Sequence, residues 1–292
     1  MPRPAAFRDF ALSVAILATV PTTSWAATYD PQVAYAQAAG KGMTLYVANA
    51  DGTHVAAIAT GRLISNVELS PAGGRAAFAD TQGVKLVNFT VTSTGVVASA
   101  PVLLAPGGNS PDFSADGSRL LFRDSNALAI SVVSPSGGAA TPIYPGNCGQ
   151  PRWLRAAALG NAFACKRYVS GYTSEIWVVL LNGSDQVTSA GPVTGTVALG
   201  VGEITDFDVA RTRDALLLTT NPAVLQEVDI ATGTATARGL GHDGHFSFGD
   251  SRIVSISPHM ASGDYVNTTD VATGVVTHFT NKGSYNSADA KP

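Results

Sequence analysis

Short runs of alternating apolar and polar residues, broken every few positions by Gly, Asp, Asn, Ser or Pro, follow one another along almost the whole chain. A period of two belongs to strands with one covered face, and the breaks are turn residues. The stretch PDFSADGSRLLFRDS, Pro111 to Ser125, is the clearest case: a short strand, an Asp-Gly turn and a second apolar strand. Gly117 suits that turn because it accepts positive φ, and Asp116 is read as turn chemistry.

The same unit recurs. With Phe113 as anchor, Asn66–Asp80 aligns without a gap: Leu69 takes the place of Phe113, Gly73 of Gly117, Arg75 of Arg119 and Phe78 of Phe122. Asp206–Thr220 aligns on Val209, His245–Ser257 on Phe246, and Arg152–Arg167, with a short insertion, on Trp153. The segment NSADA, Asn286–Ala290, matches NSPDF at Asn, Ser and Asp. Anchors at 69, 113, 153, 209, 246 and 290 are 44, 40, 56, 37 and 44 residues apart. That is the length of a four-stranded propeller blade, roughly 40–50 residues. Gly-bearing turns at Gly52, Gly95, Gly137, Gly183, Gly233 and Gly274 alternate with the anchors, the first turn having no anchor before it.

This offset predicts an all-β, six-bladed β-propeller over residues 27–292. Three N-terminal strands within Gln32–Thr60 would share a blade with the C-terminal segment SADAKP as its innermost strand. Such closure removes exposed sheet edges. The pattern x-F-S-x-D-G-x-R-L-L-F, followed by a hairpin with D/N-x-x-G, resembles the repeats of TolB-like, WD-repeat-like propellers. It is best at Pro111–Ser125, good at Asn66–Asp80 and degenerate elsewhere. The resemblance implies an architecture and not an activity. The first blade is expected to begin within a few residues of the leader, without the α/β domain that precedes the propeller in TolB.

Composition bears more on location than on fold. Of 292 residues 45% are hydrophobic and 13% charged, with Gly 30 and Pro 16, which suits one large β domain. The formal net charge of −3 offers no attraction for nucleic acid. Arg3 and Arg8, the apolar run Phe10–Val20 and the small residues of Ser24-Trp25-Ala26 read as a signal peptide, residues 1–26, cut after Ala26. Nothing downstream is long and apolar enough to predict a transmembrane segment. The mature chain is expected to be exported, periplasmic or secreted, and monomeric. Export permits a disulfide between Cys148 and Cys165, which flank a predicted hairpin of Gln150–Arg155 with Ala162–Arg167. The register of that hairpin decides whether they meet.

Candidate chemistry falls on the face made by the d–a loops, which link one blade to the next, and the b–c loops within each blade. His242, Asp243 and His245 in GHDGHFSF, with His259 in SPHMASGD, form the densest set. Pairing across the turn at Gly249–Ser251 would bring residues near 257–259 opposite His245. Imidazoles and a carboxylate suit a divalent metal, yet no H-E-x-x-H spacing occurs and no cofactor is expected. Glu203 and Asp206 are the acids nearest in kind to a catalytic partner.

The segment Lys166–Trp177 reads as a long b–c loop in which Lys166, Arg167, Tyr168 and Tyr172 would contact a sugar or peptide. Arg75, Arg119 and Arg252 recur at one blade position and are read as packing residues. No G-x-S-x-G elbow, P-loop or dinucleotide fingerprint occurs. The leading expectation is a non-enzymatic propeller that binds a cell-envelope protein, peptide or glycan. The alternatives are a metal-assisted polysaccharide lyase or hydrolase, and a structural envelope component.

Overall fold

The computed structural model describes residues 33–39, 41–48, 54–155, 160–170, 173–193, 203–246, 250–256 and 266–278. Strands alternate with tight turns throughout, and all pairings are between antiparallel neighbours. The first sheet holds β1 (Val33–Ala39), β2 (Gly42–Ala48) and β3 (Ala56–Gly61). The second holds β4 (Ser65–Leu69), β5 (Arg75–Ala79), β6 (Gly83–Thr92), β7 (Gly95–Ala98) and β8 (Val102–Pro106). Here the long β6 pairs with β8 along its first half and with β7 along its second.

Four four-stranded sheets follow. The third is β9 (Gly108–Phe113), β10 (Leu120–Asp124), β11 (Ala129–Val133) and β12 (Thr141–Pro145). The fourth is β13 (Cys148–Leu154), β14 (Ala162–Ser170), β15 (Thr173–Leu181) and β16 (Val187–Pro192). The fifth is β17 (Ile204–Val209), β18 (Ala215–Thr220), β19 (Val224–Asp229) and β20 (Ala235–Leu240). The sixth is β21 (His242–Phe246), β22 (Arg252–Ile256), β23 (Val266–Asp270) and β24 (Val276–His278).

Each sheet packs face to face on its neighbours in the chain, which makes the arrangement a β-propeller. Five core clusters fill the gaps between successive sheets, and each anchor residue sits in the cluster shared with the preceding sheet. Leu69, Phe113, Trp153, Val209 and Phe246 are all buried, and each such side chain contributes about 1.5–3 kcal/mol by leaving water. The Gly-bearing turns at Gly95, Gly137, Gly183, Gly233 and Gly274 join the third strand of a sheet to the next one; Gly52 lies outside the described residues.

The expected six complete blades are corrected to five, with a three-stranded sheet in the remaining place. In that sheet β1 packs on β4 as β5 packs on β9, β10 on β13 and β18 on β21. So β1 holds a second-strand position, and no strand among the described residues fills the innermost one. The leader at 1–26 and the C-terminal segment SADAKP lie outside the described residues. Among the described residues no helix is long and apolar enough to cross a membrane.

Candidate functional site

The innermost strands share a local irregularity. Two residues of the inner strand oppose one of its partner at 66–67, 110–111, 150–151 and 243–244, and β17 carries one extra residue at Thr205. Asn66, Ser110 and Gln150 take left-handed φ values of 49, 50 and 48° at these points. A bulge bends its strand and re-aims the following side chains. Here the re-aimed residue just before each anchor is ionisable: Glu68, Asp112, Arg152, Asp208 and His245. No chemical motif marks them, and only the aligned repeats, read one column to the left of the anchor, carry the signal. Asp289, in the same column before Ala290, lies outside the described residues.

These groups meet across the ring. Arg155, which follows β13, donates through Nη2 to Glu68 Oε1 and to Asp112 Oδ1, both at 2.8 Å. Its partners stand on the second and third sheets, so the three blades are joined at the axis. The Asp112 carboxylate also accepts the Trp153 backbone N–H at 2.5 Å, and Asp208 accepts that of Phe246 at 2.9 Å. In each case an inner carboxylate of one blade holds the anchor of the next. His245 is buried, with Nδ1 3.6 Å from Asp208 and Nε2 3.8 Å from Asp206.

The charges perturb one another in both directions. Burial pushes Asp112 up to about 7, against the pull of Arg155. Burial acts the same way on Asp208, but the hydrogen bond and charge of His245 hold it well below the usual carboxylate range. Arg155 stays firmly protonated: Asp112 and Glu68 outweigh its burial. Arg152 is likewise raised, against burial, by Asp112 and Asp206. Arg211, on the bend after β17, is lowered by burial and by the neighbouring Arg155.

The residues singled out from sequence fall elsewhere or only partly here. His242, Asp243 and His245 lie on strand β21 itself and not in a loop. His242 is exposed while His245 points into the charged ring. The expected pairing of His245 with residues near 257–259 is corrected, because the bulge sets Val254 opposite His245 and Ile256 opposite His242. His259 lies outside the described residues. Among the described residues no three His, Cys, Asp or Glu side chains form a metal-sized group. Asp206 is buried on β17 beside His245, whereas Glu203 precedes that strand.

The long b–c loop is instead a hairpin, with β14 reaching Ser170 and β15 starting at Thr173. The continued alternation of KRYVS extends the strand, and the register sets Lys166 opposite Ile176 and Arg167 opposite Glu175. Lys166 is buried and donates to the carbonyls of Ile204 and Thr205, tying the fourth blade to the fifth. Arg167 lies over the Trp177 ring at 4.3 Å. Tyr168 projects with 53% exposure, and Tyr172 lies outside the described residues. Cys148 and Cys165 are joined by a disulfide with 5.6 Å between Cα atoms.

Arg119 lies over Trp153 at 4.5 Å and reaches Asp185 and Asn161, stitching the third blade to the fourth. Asp116 serves its turn: it accepts from Ser114 Oγ and the Ser118 backbone, and these bonds, Ser114's above all, lower it to about 2.

Fold and site together define a β-propeller with a charged axial ring. No family model matches the chain, and no curated protein matches its sequence. Among solved structures, TolB from Acinetobacter baumannii superposes with a TM-score of 0.65 at 16% identity, over 86% of this chain and 64% of that one. The chain thus spans less than two thirds of the TolB chain it matches. A chain from a nidogen/laminin complex matches with a TM-score of 0.57 at 9% identity, over 85% of this chain and 89% of that one. Both likenesses are of fold.

Proposed function

We propose that this chain is an exported, non-enzymatic β-propeller that binds a protein or peptide of the cell envelope at its axis and on its d–a/b–c loop face. The observation that carries the proposal is the axial ring, in which five inner strands each present an ionisable group from a bulged backbone. Polar groups converging on a rigid scaffold suit recognition. Tyr168 adds an exposed, amphipathic contact at the loop face. The likeness to TolB, and to a chain solved within a nidogen/laminin complex, supports a propeller built to hold a macromolecular partner. Closure of the ring by the C-terminal segment SADAKP, Ser287–Pro292, as the innermost strand of the first sheet belongs to this proposal.

The test is capture from envelope extracts on immobilised mature protein, Ala27–Pro292, followed by calorimetry with the retained partner. A stoichiometric partner whose binding weakens in Tyr168→Ala and in Arg152→Gln is the expected result. Failure to retain any partner, together with turnover of an envelope glycan, would overturn the proposal in favour of an enzyme. One observation keeps that second reading, a metal-assisted polysaccharide lyase or hydrolase, in view: His245 stands buried between Asp206 and Asp208. Stoichiometric metal in purified protein, lost in His245→Ala, would mark it.

A further inference from the structure

Two inner aspartates each clasp the blade that follows. Asp112 of the third sheet accepts the Trp153 backbone N–H of the fourth at 2.5 Å, and Asp208 of the fifth accepts that of Phe246 in the sixth at 2.9 Å. In both, the acid stands one residue before its own anchor, and the N–H belongs to the next anchor. The same column holds Glu68, Arg152 and His245 in the second, fourth and sixth sheets, so aspartates alternate around the ring. The alternation calls for an aspartate in the first sheet, holding Leu69 of the second. Leu69 is 1% exposed and packs in the cluster it shares with the first sheet. Ser70 donates its N–H to the Arg75 carbonyl across the β4–β5 turn, and neighbouring N–H groups of a strand point to opposite sides. The Leu69 N–H therefore points away from β5, toward the axis, and a buried N–H requires an acceptor.

We infer that the innermost place of the first sheet is a docking site for this chain's own segment Ser287–Pro292, recognised by the Asp289 carboxylate on the Leu69 backbone N–H. The segment lies outside the described residues, and its place is argued from the repeat. NSADA repeats NSPDF with Asn286 for Asn109, Ser287 for Ser110 and Asp289 for Asp112. Asp289 thus carries the position from which Asp112 reaches Trp153. β1 packs on β4 in a second-strand position, so the innermost place is bounded by β1 and β4. Ala290 replaces the Phe113 anchor, and SADAKP has no large apolar side chain to bury. A charge-assisted hydrogen bond is then the contact that selects the segment. The inference rests on the ring closure proposed above and names the contact that secures it.

The test measures amide hydrogen exchange, residue by residue by NMR, in the mature chain Ala27–Pro292 and in its Asp289→Ala and Asp289→Asn variants. In wild type, Leu69 and the β1 amides that face away from β2 are expected to be protected. Asp289→Ala should speed Leu69 exchange about tenfold or more, and Asp289→Asn less, because its amide oxygen still accepts. Trp153 and Phe246, held by Asp112 and Asp208, should exchange as before. They separate the contact from folding: equal acceleration at Leu69, Trp153 and Phe246 would mean general loosening and overturn the clasp.

Free exchange of those β1 amides in wild type would remove the closure, and the clasp with it. Protected β1 amides with Leu69 exchange unaltered in Asp289→Ala would keep the closure and overturn the clasp. Protection of Leu69 that appears only when an envelope extract is added would place a foreign strand at the site and equally overturn the inference.

Discussion

Replacing Arg155 with Met should be among the most damaging single changes at the axis. The side chains involved are nearly enclosed: Arg155 and Glu68 are 8% exposed and Asp112 2%. Both ion pairs are at 2.8 Å, and the change leaves two carboxylates without their shared cation. Removing one partner of a buried pair destabilises by about 3–5 kcal/mol. For a domain of this size that corresponds to a drop in melting temperature of roughly 10 °C.

The loss should depend on pH, and its sign follows from Asp112. Its folded pKa of about 7 lies above the ordinary carboxylate value, and loss of Arg155 raises it further. The folded variant then keeps a proton that the unfolded chain releases from about pH 4 upward, so its stability falls as pH rises through that window. The deficit relative to wild type is therefore larger at pH 8 than at pH 5. Urea unfolding of both proteins at the two pH values measures it. A deficit below about 1 kcal/mol at pH 8, or one equal at both pH values, would refute the reasoning. Combining Arg155→Met with Glu68→Gln and Asp112→Asn should recover most of the loss, because no charge is then left unpaired.

Other outcomes follow from single features. Cys148→Ser should destabilise by about 3 kcal/mol through the loop-closure entropy of a crosslink spanning 17 residues, read as a fall in the urea midpoint under non-reducing conditions. Gly83→Ala should unfold more easily by about 2 kcal/mol or more, because φ is +142° and a Cβ would meet the Ala105 carbonyl at 2.1 Å. Asp208→Asn should remove a contribution that is present above the unfolded carboxylate pKa and lost as pH falls below it, since the folded pKa is depressed. The wild-type minus variant stability difference should therefore shrink from pH 5 to pH 2.

Much of the architecture was legible in the linear order of residues, because a propeller is a local fold. Each sheet is built by consecutive hairpins, so alternation and turn residues report it directly, and the anchors 69, 113, 153, 209 and 246 all proved to be buried on innermost strands. The placement of the Lys166–Trp177 segment failed for a related reason: Ser, Gly and Tyr in the middle of that run mimic loop chemistry, while the paired nine-residue strands run on as far as Ser170 and resume at Thr173. The histidine pairing failed because a two-residue bulge moves every partner that follows it, and bulges leave no dependable trace in composition.

The sequence by itself determined the all-β class, the blade-length repeat and the inter-blade core, since those depend on short-range patterning and on burial of periodic apolar residues. Only the tertiary structure decided that Glu68, Asp112, Arg152, Asp208 and His245 face a common axis. Consecutive members lie 37 to 56 residues apart along the chain and look unremarkable one at a time. Their convergence depends on the radial packing of whole sheets and on the bulges that turn each side chain inward. It is in that low-dielectric interior that Arg155 bridges two blades and that one aspartate is driven up while another is held down.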